Sequence, residues 1–82
     1  MKPIIWTELA KNDVRRLDKF TAMRILHALH RFAASGTGDV KRLRGDREEL
    51  RLRVGDDRLF FVYTAAEALE VRRVLHRKEA YR

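Results

Sequence analysis

Residues 74–82 read VLHRKEAYR and place His76, Arg77, Lys78, Tyr81 and Arg82 within the last seven positions. Two of these side chains can move protons: the imidazole has an unperturbed pKa of about 6.5 and the phenol one of about 10. Arginine stays protonated, so it is a poor base but a good holder of phosphate and of the charge that develops on it. Upstream, ELRLRV (49–54) supplies Arg51 and Arg53, and Arg58 follows a GDD turn. Together the groups suit one chemistry, in which Arg51, Arg53, Arg58 and Arg77 hold a phosphodiester while His76 or Tyr81 transfers a proton. With RNA the 2′-hydroxyl can itself attack the adjacent phosphate once deprotonated, so no metal is obligatory. DNA offers no such nucleophile.

Groups scattered over 51–81 can act together only if a sheet gathers them. Leu50, Leu52 and Val54 alternate with Arg51 and Arg53, so burying the apolar set turns the arginines outward. RLFFVYT (58–64) returns after the turn and can lay Arg58 across from them; apolar on both faces, it belongs in the middle of the sheet. AAEA then turns the chain into LEVRRVL (69–75), whose β-branched and apolar content makes it a strand and anchors the tail. That tail is expected to fold back and bring His76, Arg77 and Tyr81 to one end of the same open face. VKRLR (40–44) reads as an optional short strand before the meander.

What covers the other face comes from the first half of the chain. KPIIW (2–6) reads as a strand, and Thr7 as the N-cap of a helix through about Asp18 with a narrow apolar stripe at Ala10, Val14 and Leu17. A second helix, from Lys19 or Thr21 to Ala34, buries Ala22, Ile25, Leu26, Leu29, Phe32 and Ala33, and Gly36 suits the left-handed conformation that ends it. The expected fold is α+β: an N-terminal strand and an α-helical hairpin packed on one face of a small curved antiparallel β-sheet. Trp6, Phe32, Phe60 and Phe61 are assigned to the core. His27 and His30 mark the exposed side of their helix, and no spacing suggests a metal or cofactor.

Composition bounds the rest. With 82 residues the chain makes a single domain, 1–82, and 45% hydrophobic residues with one proline argue for a folded one. The absence of cysteine excludes disulfides, thiolate metal sites and a cysteine nucleophile, and suits a reducing cytoplasm. The N-terminal apolar run is too short for a signal peptide, and no stretch approaches a membrane span. Nineteen Lys plus Arg against twelve Asp plus Glu give a charge of +7, which favours polyanionic partners, nucleic acid or an acidic protein. Lys41, Arg44, Arg73 and Lys78 extend the basic set as candidate RNA-binding positions.

The succession LAKNDVRRLDKF, RILHALHRFA, GDVKRLRG, LRLRVGDDRLFFVY and VRRVLHRKEAYR resembles the RelE/ParE superfamily of type II toxins over essentially the whole chain. The resemblance implies a helical hairpin on a curved sheet and a cognate antitoxin that wraps the toxin, with operator DNA as a further partner of that complex. RelE-like members cleave messenger RNA on the ribosome; ParE-like members inhibit DNA gyrase without the ribonuclease residues. By position, the basic strand pair falls on Arg51 and Arg53, where the prototype has lysines, the arginine after the turn on Arg58, the C-terminal arginine on Arg77 and the terminal tyrosine on Tyr81. His76 stands where many relatives also have histidine. Asp57, Glu49, Leu50 and Leu75 depart from the pattern, and the spacing from Arg77 to Tyr81 is short. The resemblance favours the RelE-like branch, a ribosome-dependent mRNA endoribonuclease, with gyrase inhibition or a non-toxic binding relative as the alternatives.

Overall fold

A computed structural model of the chain describes residues 1–43, 45 and 48–80. In order the elements are β1 (Ile4–Trp6), α1 (Glu8–Arg15), α2 (Lys19–Ser35), β2 (Asp39–Arg42), β3 (Leu50–Val54), β4 (Asp57–Tyr63), β5 (Leu69–His76) and α3 (Arg77–Ala80).

Thr7 starts α1 as its spacing suggests: its hydroxyl oxygen accepts from the Ala10 N–H at 3.2 Å, satisfying one of the orphan donors of the first turn. Asp18 repeats the device for α2, where its carboxylate accepts from the Thr21 N–H at 3.1 Å. At the far end Gly36, with φ 77°, lets its N–H bond the Phe32 carbonyl at 2.8 Å and stops the helix. Two capped helices with a tight link thus form the expected hairpin.

The sheet order is β1-β5-β4-β3-β2, so β4 is central as its two-sided apolar pattern requires. β2 through β5 pair antiparallel, whereas β1 joins β5 in parallel, with Ile5 opposite Glu70. The sheet is therefore mixed rather than wholly antiparallel. The helical hairpin carries the chain across one face between β1 and the rest, a connection that leaves β1 free to lie parallel.

One face buries the core. Ile25 and Leu29 of α2 and Ala10 of α1 meet Leu52 and Val54, Leu59 and Phe61, and Leu69, Val71 and Val74. Trp6, Val14, Leu17, Phe32, Val40 and Leu50 close its rim. Phe61 is fully buried, and its ring lies 5.5 Å from that of Phe32 and 5.7 Å from that of Tyr63.

A β-bulge in β5 interrupts the ladder: Phe60 pairs with Arg73 but Phe61 with Val71, leaving Arg72 as the extra residue. Its loosened backbone groups are taken up by α1. The Thr7 hydroxyl donates to the Val71 carbonyl at 3.0 Å, and the Val74 N–H donates to Asp13 at 2.9 Å. No helix is long and apolar enough to cross a membrane.

Candidate functional site

Arg51 and Arg53 sit on β3 between Leu50, Leu52 and Val54, and because those three face the helices the arginines face away. The same parity on β4 turns Arg58 and Phe60 outward against Leu59 and Phe61. On β2 it turns Asp39 and Lys41 outward against Val40. Register then makes the cations neighbours: Arg53 lies opposite Arg58, and Arg51 opposite Lys41. Like charges placed directly across strands oppose folding, so the stability of the sheet gives no reason for this arrangement.

Each cation is held differently. Arg58 is only 8% exposed, and its Nη1 donates to the carbonyls of Gly55 at 3.0 Å and Asp57 at 3.2 Å, so the β3–β4 turn fixes its fork. The Arg51 side chain is 16% exposed and that of Arg53 55%, with the Asp39 carboxylate 3.9 Å and 3.8 Å from them. At those lengths a carboxylate left largely in water offsets little of their charge. Phe60, opposite Arg51, is buried, as its assignment to the interior requires, yet stands on the outward side of the sheet.

Arg77 opens α3 beside the same turn. Its N–H bonds the Asp56 carbonyl at 2.8 Å and its exposed guanidinium stands 4.0 Å from the Asp56 carboxylate. Lys41 lies exposed on β2 and Lys78 exposed on α3. Tyr81 and Arg44 lie outside the described residues.

Two expected members stand apart from this face. Counting by twos from Leu69 and Val71 would put His76 outward, but the extra residue at Arg72 inverts the count: Val74 and His76 turn to the helix side, and Leu75 pairs with Arg58. His76 lines a pocket of about 220 Å³ with Asp13, Arg16, Asp57 and Glu79. Its Nδ1 accepts from the Lys78 N–H at 3.2 Å, which leaves the ring proton of the neutral form on Nε2. Arg73, expected on an RNA-binding surface, is instead bound to α1. Its Nε and Nη2 donate to the Asp13 carboxylate at 2.8 and 3.2 Å, an arrangement that uses the fork for structure.

Asp13 itself was not singled out by the sequence reading. Its side chain is 4% exposed. Burial pushes its carboxyl up, but the hydrogen bonds from Arg73 and the Val74 N–H, with the charges of Arg73 and Arg16, outweigh that and hold it below the usual 3.8. The signal was present: Asp13 lies three residues after Ala10 and four before Leu17, on the buried stripe of α1.

A family model described as the ParE toxin of the type II toxin–antitoxin system parDE matches residues 4–81. The RelB–RelE antitoxin–toxin complex from Methanococcus jannaschii contains a chain of like fold, with a TM-score of 0.78, 23% identity and 94% of each chain covered. The archaeal RelE–RelB complex from Pyrococcus horikoshii gives a TM-score of 0.78 at 17% identity, covering 96% of this chain and 98% of that one. The intact Escherichia coli RelBE toxin–antitoxin complex gives 0.67 at 18%, covering 90% and 94%. No curated protein matches the chain.

Proposed function

The chain belongs to the ParE toxin family of type II toxin–antitoxin systems, and we propose that it exerts that toxicity by cleaving messenger RNA on the ribosome. The observation that carries this reading is the outward basic face of β2, β3 and β4, where Lys41, Arg51, Arg53 and Arg58 meet across strands with one carboxylate, Asp39, among them. Such a face fits a phosphodiester backbone better than it fits a fold's own needs.

In the reaction, the 2′-hydroxyl loses its proton and its oxygen bonds to the adjacent phosphorus. The bond from phosphorus to the 5′-oxygen breaks, and that oxygen takes up a proton. The products are a 2′,3′-cyclic phosphate and a free 5′-hydroxyl. Arg51 and Arg53 hold the non-bridging oxygens. Arg58, locked by the Gly55 and Asp57 carbonyls, needs no reorganisation to meet the charge that builds there. Arg77 neutralises charge on the departing side. Proton transfer falls to Tyr81, because His76 stands on the helix side with its Nδ1 already engaged. The work belongs to the cytoplasm, where ribosomes are.

The same placement of His76 supports a second reading. A family description that names ParE, together with a basic face from which His76 is turned away, fits a protein that inhibits DNA gyrase by binding alone.

Structures of like fold are described as RelB–RelE complexes. By that analogy a cognate acidic antitoxin covers the basic face and silences it, and operator DNA is reached through that complex.

The test is the mapping of messenger RNA 5′ ends after brief induction of the natural protein or Arg77→Ala. New ends inside translated codons that vanish in the variant support the ribonuclease. Growth arrest with intact messenger RNA and a DNA-damage response moves the assignment to gyrase.

A further inference from the structure

We propose that Arg24, on α2, is a phosphate-binding residue that carries the RNA track of the basic face over the β3–β4 turn; this rests on the ribonuclease reading given above. The observation lies at Gly55. A Cβ built there would fall 2.9 Å from Arg24 Nη1, 3.1 Å from Nη2 and 3.3 Å from Cζ, so the whole guanidinium plane lies across a residue that has no side chain. Gly55 has φ +60°, a conformation that side-chain-bearing residues rarely adopt. The turn therefore both requires glycine and offers a flat seat for the arginine.

Seated in this way, Arg24 is exposed and makes no hydrogen bond or ion pair among the described residues. A planar fork already oriented loses less freedom on binding an anion than a swinging side chain does. The same turn holds the Arg58 guanidinium through the carbonyls of Gly55 and Asp57, and the backbone N–H of Arg77 through the carbonyl of Asp56. One short turn thus seats guanidinium groups from α2 and β4, with the exposed guanidinium of Arg77 on α3 standing 4.0 Å from its Asp56 carboxylate. A nucleic-acid strand leaving the outward face past Arg53 and Arg58 meets Arg24 next. RNA is favoured over an acidic protein segment because the seat continues the basic face past Arg53 and Arg58 and offers a planar donor fork that matches phosphate geometry.

The readout is the salt dependence of RNA binding. Each phosphate neutralised on a single strand contributes about 0.7 to the slope of log K against log salt. Fluorescence anisotropy is measured with a labelled single-stranded RNA carrying 2′-O-methyl groups, which cannot be cleaved, from low to high KCl. Arg24→Ala is compared with the natural protein and with Arg31→Ala, which makes the same charge change elsewhere on α2. The expected result is a slope smaller by about one phosphate contact in Arg24→Ala and an unchanged slope in Arg31→Ala. Equal slopes in all three proteins overturn the assignment of Arg24 while leaving the ribonuclease reading in place. Equal losses in both variants also overturn it, as a general charge effect. An RNA slope unchanged by Arg24→Ala while binding of a polyglutamate peptide weakens overturns it in favour of an acidic protein partner. If the natural protein binds no RNA at all, the assignment of Arg24 is overturned, while the proposed function stands or falls by the mapping of messenger RNA 5′ ends.

Discussion

Among the described residues the buried polar side chains are Asp13 and Arg58, and each makes a separable prediction. Asp13 accepts from Arg73 and from the Val74 N–H, so Asp13→Asn leaves the Arg73 guanidinium without its counter-charge. The change should cost about 2–3 kcal/mol, less than for a wholly buried pair because Arg73 is partly in water. The sign with pH follows from the lowered folded-state carboxyl. Its stabilisation is complete above the ordinary value of 3.8 and is lost as pH falls below that through the folded value. Urea unfolding as a function of pH should therefore show acid destabilisation below about pH 4 that shrinks in Asp13→Asn. A variant as acid-sensitive as the natural protein would show that other carboxylates carry the effect. Arg53 and Arg58 separate function from folding. Arg53→Ala should lower cleavage about 10²-fold with an unchanged melting temperature, whereas Arg58→Ala should lower both, because its fork is built into the turn. Of the candidate site, the outward arginines of β3 were legible because a period of two needs no tertiary information. His76 was not legible, because the extra residue at Arg72 reverses the faces after it, and nothing in LEVRRVL announces a bulge.

At the scale of elements, the bulge and α1 make one unit. Thr7 caps the helix through Ala10, and its hydroxyl also donates to the Val71 and Arg72 carbonyls at 3.0 and 3.2 Å. Thr7→Ala should cost about 1–2 kcal/mol, at the upper end for a cap because carbonyls of β5 lose a donor as well. For a domain of this size that is a melting temperature lower by about 4–8 °C per kcal/mol, and Thr7→Ser should restore most of it. The β4–β5 turn offers the opposite change. Glu67 has φ 61°, which costs a residue with a side chain about 1 kcal/mol. Glu67→Gly should raise the melting temperature by a few degrees, since the exposed Lys2 contact it gives up, at 3.9 Å, is worth little. The helices, the caps at Thr7 and Gly36 and the meander were readable because each is written in local spacing: Thr7 before the Ala10 stripe, Gly36 after Ala33, Leu50 alternating with Arg51; Asp18, expected inside the first helix, is instead the N-cap of α2. The parallel pairing of β1 was not. Ile5 meets Glu70 across nearly the whole chain, and no local pattern specifies the direction of a strand that no hairpin connects. α3 was likewise missed. It is a single turn, held by Arg77 N–H on Asp56 and by Lys78 N–H on His76, bonds that exist only once β5 has reached the turn.

For the whole molecule, the charge of +7 is distributed so that it acts as a field. Lys41, Arg51, Arg53 and Arg58 stand on three adjacent strands, and two strand spacings amount to about 10 Å. That is comparable with the screening length of about 8 Å at physiological ionic strength, so an approaching polyanion meets them as one patch. At ~1 M salt the screening length falls to about 3 Å, and the same groups act singly. An acidic antitoxin should therefore associate through the field but stay bound through the apolar surface it covers. Stopped-flow measurements should show the association rate falling about tenfold or more between ~50 mM and ~500 mM salt, with the dissociation rate nearly constant. Arg53→Glu should flatten the salt dependence of association, because Arg53 is the most exposed of the β3 pair and lies at the centre of the patch. An association rate indifferent to salt, with dissociation accelerating instead, would mean that the basic face is sealed by specific ion pairs rather than approached through its field. The antitoxin would then be recognised at individual arginines, and the excess of charge would belong to the RNA alone.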